Sequence, residues 1–119
     1  MTKPYGRPKA PAKNKPLICE PEAIFNEDGF LAAFAQARKS NDPAQVRKEM
    51  VAWLREAQTA GRAAIAEAFL KSPFTSRPMT RGYTYLTDHL VCATLHIAST
   101  VMHPNPSKEE RLCVIAVGG

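Results

Sequence analysis

The sequence predicts a mainly α-helical protein: a helical layer of about three helices, followed by one C-terminal β-strand that begins an incomplete α/β domain. Two observations carry this prediction. Apolar residues recur at three- and four-residue steps through most of residues 17–103, which is the spacing that places side chains on one face of an α-helix. Leu112–Gly119 instead shows six consecutive apolar residues before two glycines, a pattern typical of a strand buried on both faces.

The run Leu112–Val117 has no convincing partner strand in this sequence. The short apolar stretch Leu17–Cys19 is broken off by Pro21. A lone strand would leave its backbone N–H and C=O groups unpaired inside a folded domain. We therefore interpret the chain as the front part of a longer protein, in which residues 104–119 are the start of a truncated domain.

Residues 1–16 form a distinct N-terminal segment. They contain four prolines and five basic residues but no acidic residue, a composition typical of a flexible leader. The chain has a formal net charge of +5, and all of this excess lies in the leader, because the remaining residues carry 11 basic and 11 acidic side chains. We expect a disordered, basic, proline-rich tail and no nucleic-acid partner for the folded part.

The cysteines and the apolar runs bear on cellular location. Cys19, Cys92 and Cys113 are odd in number and form no Cys-x-x-Cys pair, which is typical of reduced, packed thiols rather than of a disulfide framework. The basic N-terminus has no signal-peptide pattern, and no apolar run approaches the roughly 18 residues of a membrane span. We expect a cytoplasmic protein without a membrane partner, and the oligomeric state stays open.

The first predicted helix begins directly after residue 26 or 28. Asn26 or Asp28 is its N-cap, and Phe30 and Phe34 follow at helical spacing. The helix is expected to stop by Asn41.

The second predicted helix has the clearest start signal in the chain. Asp42 is a good N-cap, and Pro43 stands at the first helical position, where proline is favoured. The apolar pattern continues to give a helix over Pro43–Lys71. Gly61, in its middle, is expected to mark a bend or a close approach of another backbone. Trp53 is expected to pack in the core, as large aromatic side chains usually do.

The third predicted helix follows a connector over residues 72–83, which contains two prolines and a glycine. It is expected to begin near Thr84 or Thr87 and to end by His103, ahead of a proline. Its predicted apolar stripe comprises Leu86, Leu90, Ala93, Ile97 and Val101, widened by Val91, Thr94, Leu95 and Ala98.

Metal-binding residue types occur on this third helix. His89, Cys92, His96 and His103 fall on one face, and imidazole and thiolate groups there could bind zinc. Their spacing matches no zinc signature, and no carboxylate cluster or second cysteine completes a set of four ligands. The sequence therefore predicts no metal site, and we expect surface or partly packed histidines.

The C-terminal end carries a resemblance to a known family. Residues Glu109–Gly119, taken with the alanine-rich helix and the following helix upstream, are similar to the first strand and glycine turn of the nucleotidyltransferase domain in the bifunctional uridylyltransferase/uridylyl-removing enzymes. The resemblance implies that the chain is the N-terminal part of such an enzyme. Residues 1–16, 17–103 and 104–119 are then a tail, a helical region and the truncated start of the catalytic domain.

The resemblance also implies an activity for the parent enzyme. Enzymes of this family transfer UMP from UTP to the PII nitrogen-signalling protein with Mg2+ held by paired aspartates, and they remove it in a separate hydrolase domain. Gly118 and Gly119 match the glycines whose backbone lies near the triphosphate. The metal carboxylates are expected beyond Gly119, so the resemblance implies no catalytic and no metal-binding residue here and an inactive fragment. The alternative is a non-catalytic helical module that docks on a partner protein.

Overall fold

The structure, a computed structural model, describes residues 5–8 and 16–102. These residues form four α-helices and no strand, which confirms a mainly helical fold. The helices are α1 (Pro21–Ile24), α2 (Glu27–Ala37), α3 (Pro43–Lys71) and α4 (Ser76–Ile97). The predicted strand Leu112–Val117 and the predicted domain boundary at residue 104 lie outside the described residues.

Local capping defines the ends of the two central helices. Asn26 Oδ1 accepts a hydrogen bond from Gly29 N at 3.0 Å, which caps α2. A 3-10 turn extends α2 to Ser40, and Asn41 then adopts a left-handed conformation with φ 55°, which asparagine tolerates. Asp42 Oδ1 accepts from Ala44 N at 3.1 Å and caps α3. The bounds of α3 agree with those predicted from the sequence.

The start of α4 differs from the prediction. The predicted connector over residues 72–83 is wrong in its second half, because α4 already begins at Ser76. Pro78 is the third residue of this helix, and an N–H in the first turn has no intrahelical acceptor, so proline is tolerated there. Gly82 is also helical, and it is buried where α4 packs on α3. A π-helical turn, Ala98–Met102, follows the end of α4.

The long helix α3 organises the packing. Its 29 residues correspond to about 43 Å at 1.5 Å per residue, close to the 47 Å length of the molecule. After a short turn, α4 returns along α3, while α1 and α2 pack across the hairpin. The core joins all four helices and is formed by Ile24, Phe25, Phe30, Phe34, Ala37, Val46, Met50, Ile65, Leu86, Ala93 and Ile97.

Gly61 lies where α1 and α4 both approach α3 closely. A Cβ at this position would collide with the backbone carbonyl oxygen of Ile24 in α1 and would lie 2.8 Å from Leu86 Cδ1 in α4. The sequence prediction of a close backbone approach at Gly61 is thereby confirmed. Trp53, on the same helix, packs against the core with its ring edge-on to Phe25 at 5.9 Å.

The short segment Tyr5–Pro8 lies against the helices. The Tyr5 ring is 5.5 Å from that of Phe30 and 5.3 Å from that of His96. Arg7 Nε lies 2.7 Å from Glu27 Oε1, whose side chain is largely buried. Tyr5 therefore differs from the expectation of a solvated leader, because its large apolar ring packs on the core, whereas Gly6 and Arg7 are exposed.

None of the helices in the described part of the chain combines the length and the apolar character needed to cross a bilayer.

Substitution of the two buried glycines tests this packing. We expect Gly61→Ala to destabilise the fold by roughly 1–3 kcal/mol, because a backbone oxygen cannot move away from the added methyl group. At Gly82 the same methyl group would lie 3.3 Å from Ile65 Cγ1, which a side chain can accommodate. Gly82→Ala should therefore be near neutral, since the gain in helix propensity is about 1 kcal/mol. Thermal and urea unfolding measure both variants, and equal effects at the two positions would contradict the proposed difference between them.

Candidate functional site

The residues matched to the triphosphate-binding glycines, Gly118 and Gly119, lie outside the described residues, as do His103 and Cys113. The candidate sites that the structure describes are therefore on the helices. Two are present on opposite sides of α4: a buried cluster that contains two histidines, and an exposed apolar groove.

The buried cluster consists of aromatic rings from the N-terminal segment and three helices. His89 and His96 are 3% and 7% exposed, so the expectation of surface or partly packed histidines is wrong. His89 stacks on Phe25 at 5.0 Å and lies 4.3 Å from Tyr85. His96 meets its neighbours edge-on, at 5.3 Å from both Tyr5 and Phe34. The two imidazoles occupy positions that aromatic side chains fill in an ordinary core.

Burial favours the neutral form of both imidazoles. It lowers the pKa of His89, although the nearby carboxylates of Glu27 and Asp88 act in the opposite direction. It also lowers the pKa of His96, and the positive charge of Arg38 adds to this effect. Nδ1 of His89 is buried without a hydrogen-bond partner among the described residues, which a charged ring would tolerate less well than a neutral one.

The histidines and Cys92 do not converge on a common point. Within residues 5–8 and 16–102, no group of three or more His, Cys, Asp or Glu side chains is placed to hold a metal ion. The two cysteines of this part, Cys19 and Cys92, are free thiols, and burial raises the pKa of each. Raised thiol pKa values give little thiolate at neutral pH, so neither cysteine has the character of an activated nucleophile.

The second site is a groove on the opposite side of α4, which we call the outer groove. It has a volume of about 430 Å³ and is bounded on the α3 side by Gln58. Val91 is 37% exposed at its centre. None of the described residues that line it is charged. On α4 it is lined by Thr87, Leu90, Val91, Thr94, Leu95 and Ala98.

The main predicted stripe of α4 is confirmed, because Leu86, Ala93 and Ile97 are buried and Leu90 and Val101 pack against the core. The residues that flank this stripe differ from the prediction. The predicted stripe placed Val91, Leu95 and Ala98 at the edge of the core. In the structure His89 and His96 face the core, and these three apolar residues line the outer groove instead. A second signal was present in the sequence, since Leu86, His89, Ala93 and His96 also follow a three- and four-residue spacing, but it requires histidine to be counted as a core residue.

The pH dependence of stability tests the neutral state of the histidines. Because the pKa of each is lowered in the folded protein, the unfolded chain binds more protons below its own value of about 6.5. The contribution of the two neutral histidines to the free energy of unfolding should therefore be fully present above about pH 6.5. It should decrease as the pH falls toward the histidine pKa values of the folded protein. Each histidine contributes a slope of up to about 1.4 kcal/mol per pH unit.

The measurement is urea unfolding between pH 5 and 7, compared with His89→Phe and His96→Phe. In each single variant, the pH dependence of the free energy of unfolding should fall by the contribution of one histidine. In the double variant, nearly all of this pH dependence should be lost. An unchanged slope in the double variant would show that other groups cause the pH dependence.

Three curated proteins are similar in sequence to the chain. It is 51% identical over 99 residues to a protein of Ruegeria pomeroyi, an alignment that covers 81% of this chain and 11% of the relative. It is 41% identical over 80 residues to a protein of Cereibacter sphaeroides, covering 66% of this chain and 9% of the relative. It is 33% identical over 91 residues to a protein of Erythrobacter litoralis, covering 75% of this chain and 10% of the relative.

All three relatives are named bifunctional uridylyltransferase/uridylyl-removing enzyme. No protein-family model and no solved structure matches the chain. The chain spans about a tenth of the length of these curated relatives. The resemblance seen in the sequence is confirmed, and the chain is a relative of the bifunctional uridylyltransferase/uridylyl-removing enzymes over a segment of about a tenth of their length.

Proposed function

We propose that this chain is the N-terminal helical segment of a uridylyltransferase that transfers UMP from UTP to the PII nitrogen-regulatory protein and also removes it. The observation that carries the proposal is the 51% identity over 99 residues to a bifunctional uridylyltransferase/uridylyl-removing enzyme. The PII target and the N-terminal position come from the resemblance of Glu109–Gly119 to the start of the nucleotidyltransferase domain.

In this proposal the described helices have a structural role and the chemistry takes place elsewhere. The family's Mg2+ ions, held by paired aspartates, stabilise the charge that develops on the phosphate during transfer. Those carboxylates belong to the parent enzyme beyond Gly119. The contribution of this chain to nucleotide binding is limited to Gly118 and Gly119, where the absence of a Cβ allows a phosphate to approach the backbone.

The helices support the catalytic domain by fixing where the chain enters it. Helices α3 and α4 pack closely at Gly61, and the π-helical turn after α4 ends at Met102, directly before the segment that leads to the proposed strand. A rigid support of this kind keeps catalytic groups within the small tolerances that transfer requires.

A second function, a non-catalytic helical module that docks on a partner, is favoured by one observation. At the turn between α3 and α4, Leu70 and Phe74 are 80% and 98% exposed. The turn itself is ordered by hydrogen bonds from the backbone N and Oγ1 of Thr75 to Ser72 O, at 3.1 Å and 2.6 Å. Reading the gene past Gly119 distinguishes the two functions: a strand with Asp-x-Asp supports the transferase, and a stop codon supports the module.

A segment exchange tests the transferase proposal. In the chimera, the matching segment of the Ruegeria pomeroyi relative is replaced by this chain. We expect the rate of uridylyl transfer to PII to stay within about tenfold of that of the relative, which corresponds to a change of at most about 1.4 kcal/mol in activation free energy. This chain alone, given UTP, Mg2+ and PII, should show no transfer. The measurement is incorporation of labelled UMP into PII.

Two variants of the chimera serve as controls. Ile65→Asp places a carboxylate at a fully buried position and should abolish transfer by unfolding the segment. Ala66→Asp makes the same change at the exposed neighbour and should leave transfer intact. A folded chimera without transfer would contradict the assignment of the segment. Transfer by the isolated chain at the rate of a full-length enzyme would contradict the assignment of the catalytic carboxylates.

A further inference from the structure

The outer groove differs in chemistry from the rest of the helical surface. From His89 to Met102 the sequence contains no Asp, Glu, Lys or Arg. The exposed side of α3, by contrast, carries charged residues throughout its length. Single exposed apolar side chains are ordinary on a protein surface, but a continuous uncharged groove along three turns of a helix is typical of a surface that another element covers.

The orientation of α4 strengthens this argument. The helix turns two histidines toward the core and leaves Val91, Leu95 and Ala98 on the outside. A helix that is apolar on more than one side is usually packed against more than one neighbour. One neighbour of α4 is the core formed with α1, α2 and α3, so the outer groove is the surface available to the other.

We propose that the apolar run Leu112–Val117 of this same chain packs along the outer groove. The length of the groove is similar to that of the extended run. The groove extends along α4 from Thr87 to Ala98, which is roughly 16 Å at 1.5 Å per residue. The six residues of the run span about 20 Å when extended.

The described helices end close to the outer groove, so the run Leu112–Val117 is an apolar segment within reach of it. The π-helical turn ends at Met102, four residues beyond Ala98, which lines the groove. The residues between Met102 and Leu112 can bridge up to about 30 Å when extended, so the run can reach the whole groove. A tethered segment has an effective concentration in the millimolar range, well above that of a second copy in dilute solution.

The chemistry of the two surfaces is complementary. Leu112–Val117 contains no charged or strongly polar side chain. The described lining of the groove is mostly apolar and uncharged, with the amide of Gln58 on the α3 side and the hydroxyls of two threonines on α4. The contact would cover one face of the extended run, as expected for a strand buried on both faces with a helical layer on one side. This inference concerns the packing of the chain itself, and it does not depend on the transferase activity.

Disulfide trapping with the native Cys113 tests the proposal. In the full chain with Cys19→Ser and Cys92→Ala, Thr94→Cys places a thiol in the groove beside the run. Thr59→Cys is the matched control, because Thr59 is also exposed and its hydroxyl bonds the carbonyl four residues earlier, as that of Thr94 does. A disulfide requires Cα atoms within about 7 Å of each other.

We expect an intramolecular disulfide to form at least tenfold faster with Thr94→Cys than with Thr59→Cys under mild oxidation. Equal rates would overturn the proposal. A disulfide-linked dimer as the main product of Thr94→Cys would also overturn it, since a second copy would then occupy the groove. If Thr94→Cys fails to fold, as judged by circular dichroism, Val91→Cys provides a second position in the same groove.

A charge substitution gives an independent measurement. Val91→Asp should raise the alkylation rate of Cys113 severalfold in the same background, because a carboxylate in the groove opposes apolar packing. Val51→Asp is the control, since Val51 is 42% exposed on α3 and lies outside the groove. Equal effects of the two substitutions on the alkylation rate would show that the run does not lie in the groove.

Discussion

The close contact of three helices at Gly61 is the constraint on which the rest of the structure depends. Because this position has no side chain, the carbonyl of Ile24 and the side chain of Leu86 both lie against the backbone of α3. Leu86 in turn fixes which side of α4 faces the core. His89 and His96 are buried with Leu86 on the core side of α4, and the outer groove lies on the opposite side.

The buried histidines show how a helix can be anchored without an all-hydrocarbon interface. A neutral imidazole has the flat shape of an aromatic ring and takes part in the same stacked and edge-on contacts as Phe25, Phe30 and Phe34. It differs from phenylalanine in the nitrogen atoms, and His89 Nδ1 has no partner within the described residues. Protonation of either ring would consequently weaken this interface.

The predictability of the fold from the sequence varied from element to element. The bounds of α3 were predictable because Asp42 and Pro43 act locally. The start of α4 was not predictable, because proline interrupts most helices but is tolerated in the first turn, where Pro78 lies. The core stripe of α4 was predictable from Leu86, Ala93 and Ile97. Which residues flank that stripe in the core was not, since the apolar residues of α4 occupy more than one side of the helix. Of the candidate site residues, Gly118 and Gly119 are predictions that the described residues do not test.

The contact of Tyr5 with His96 joins residues from the two ends of the described chain. A contact this distant in sequence closes a very long loop, so its entropic cost is met only after the helices between the two residues are in place. Interactions that form after the folding transition state slow unfolding without accelerating folding. We therefore expect the contacts of Tyr5 to lengthen the lifetime of the folded state rather than to take part in the folding nucleus.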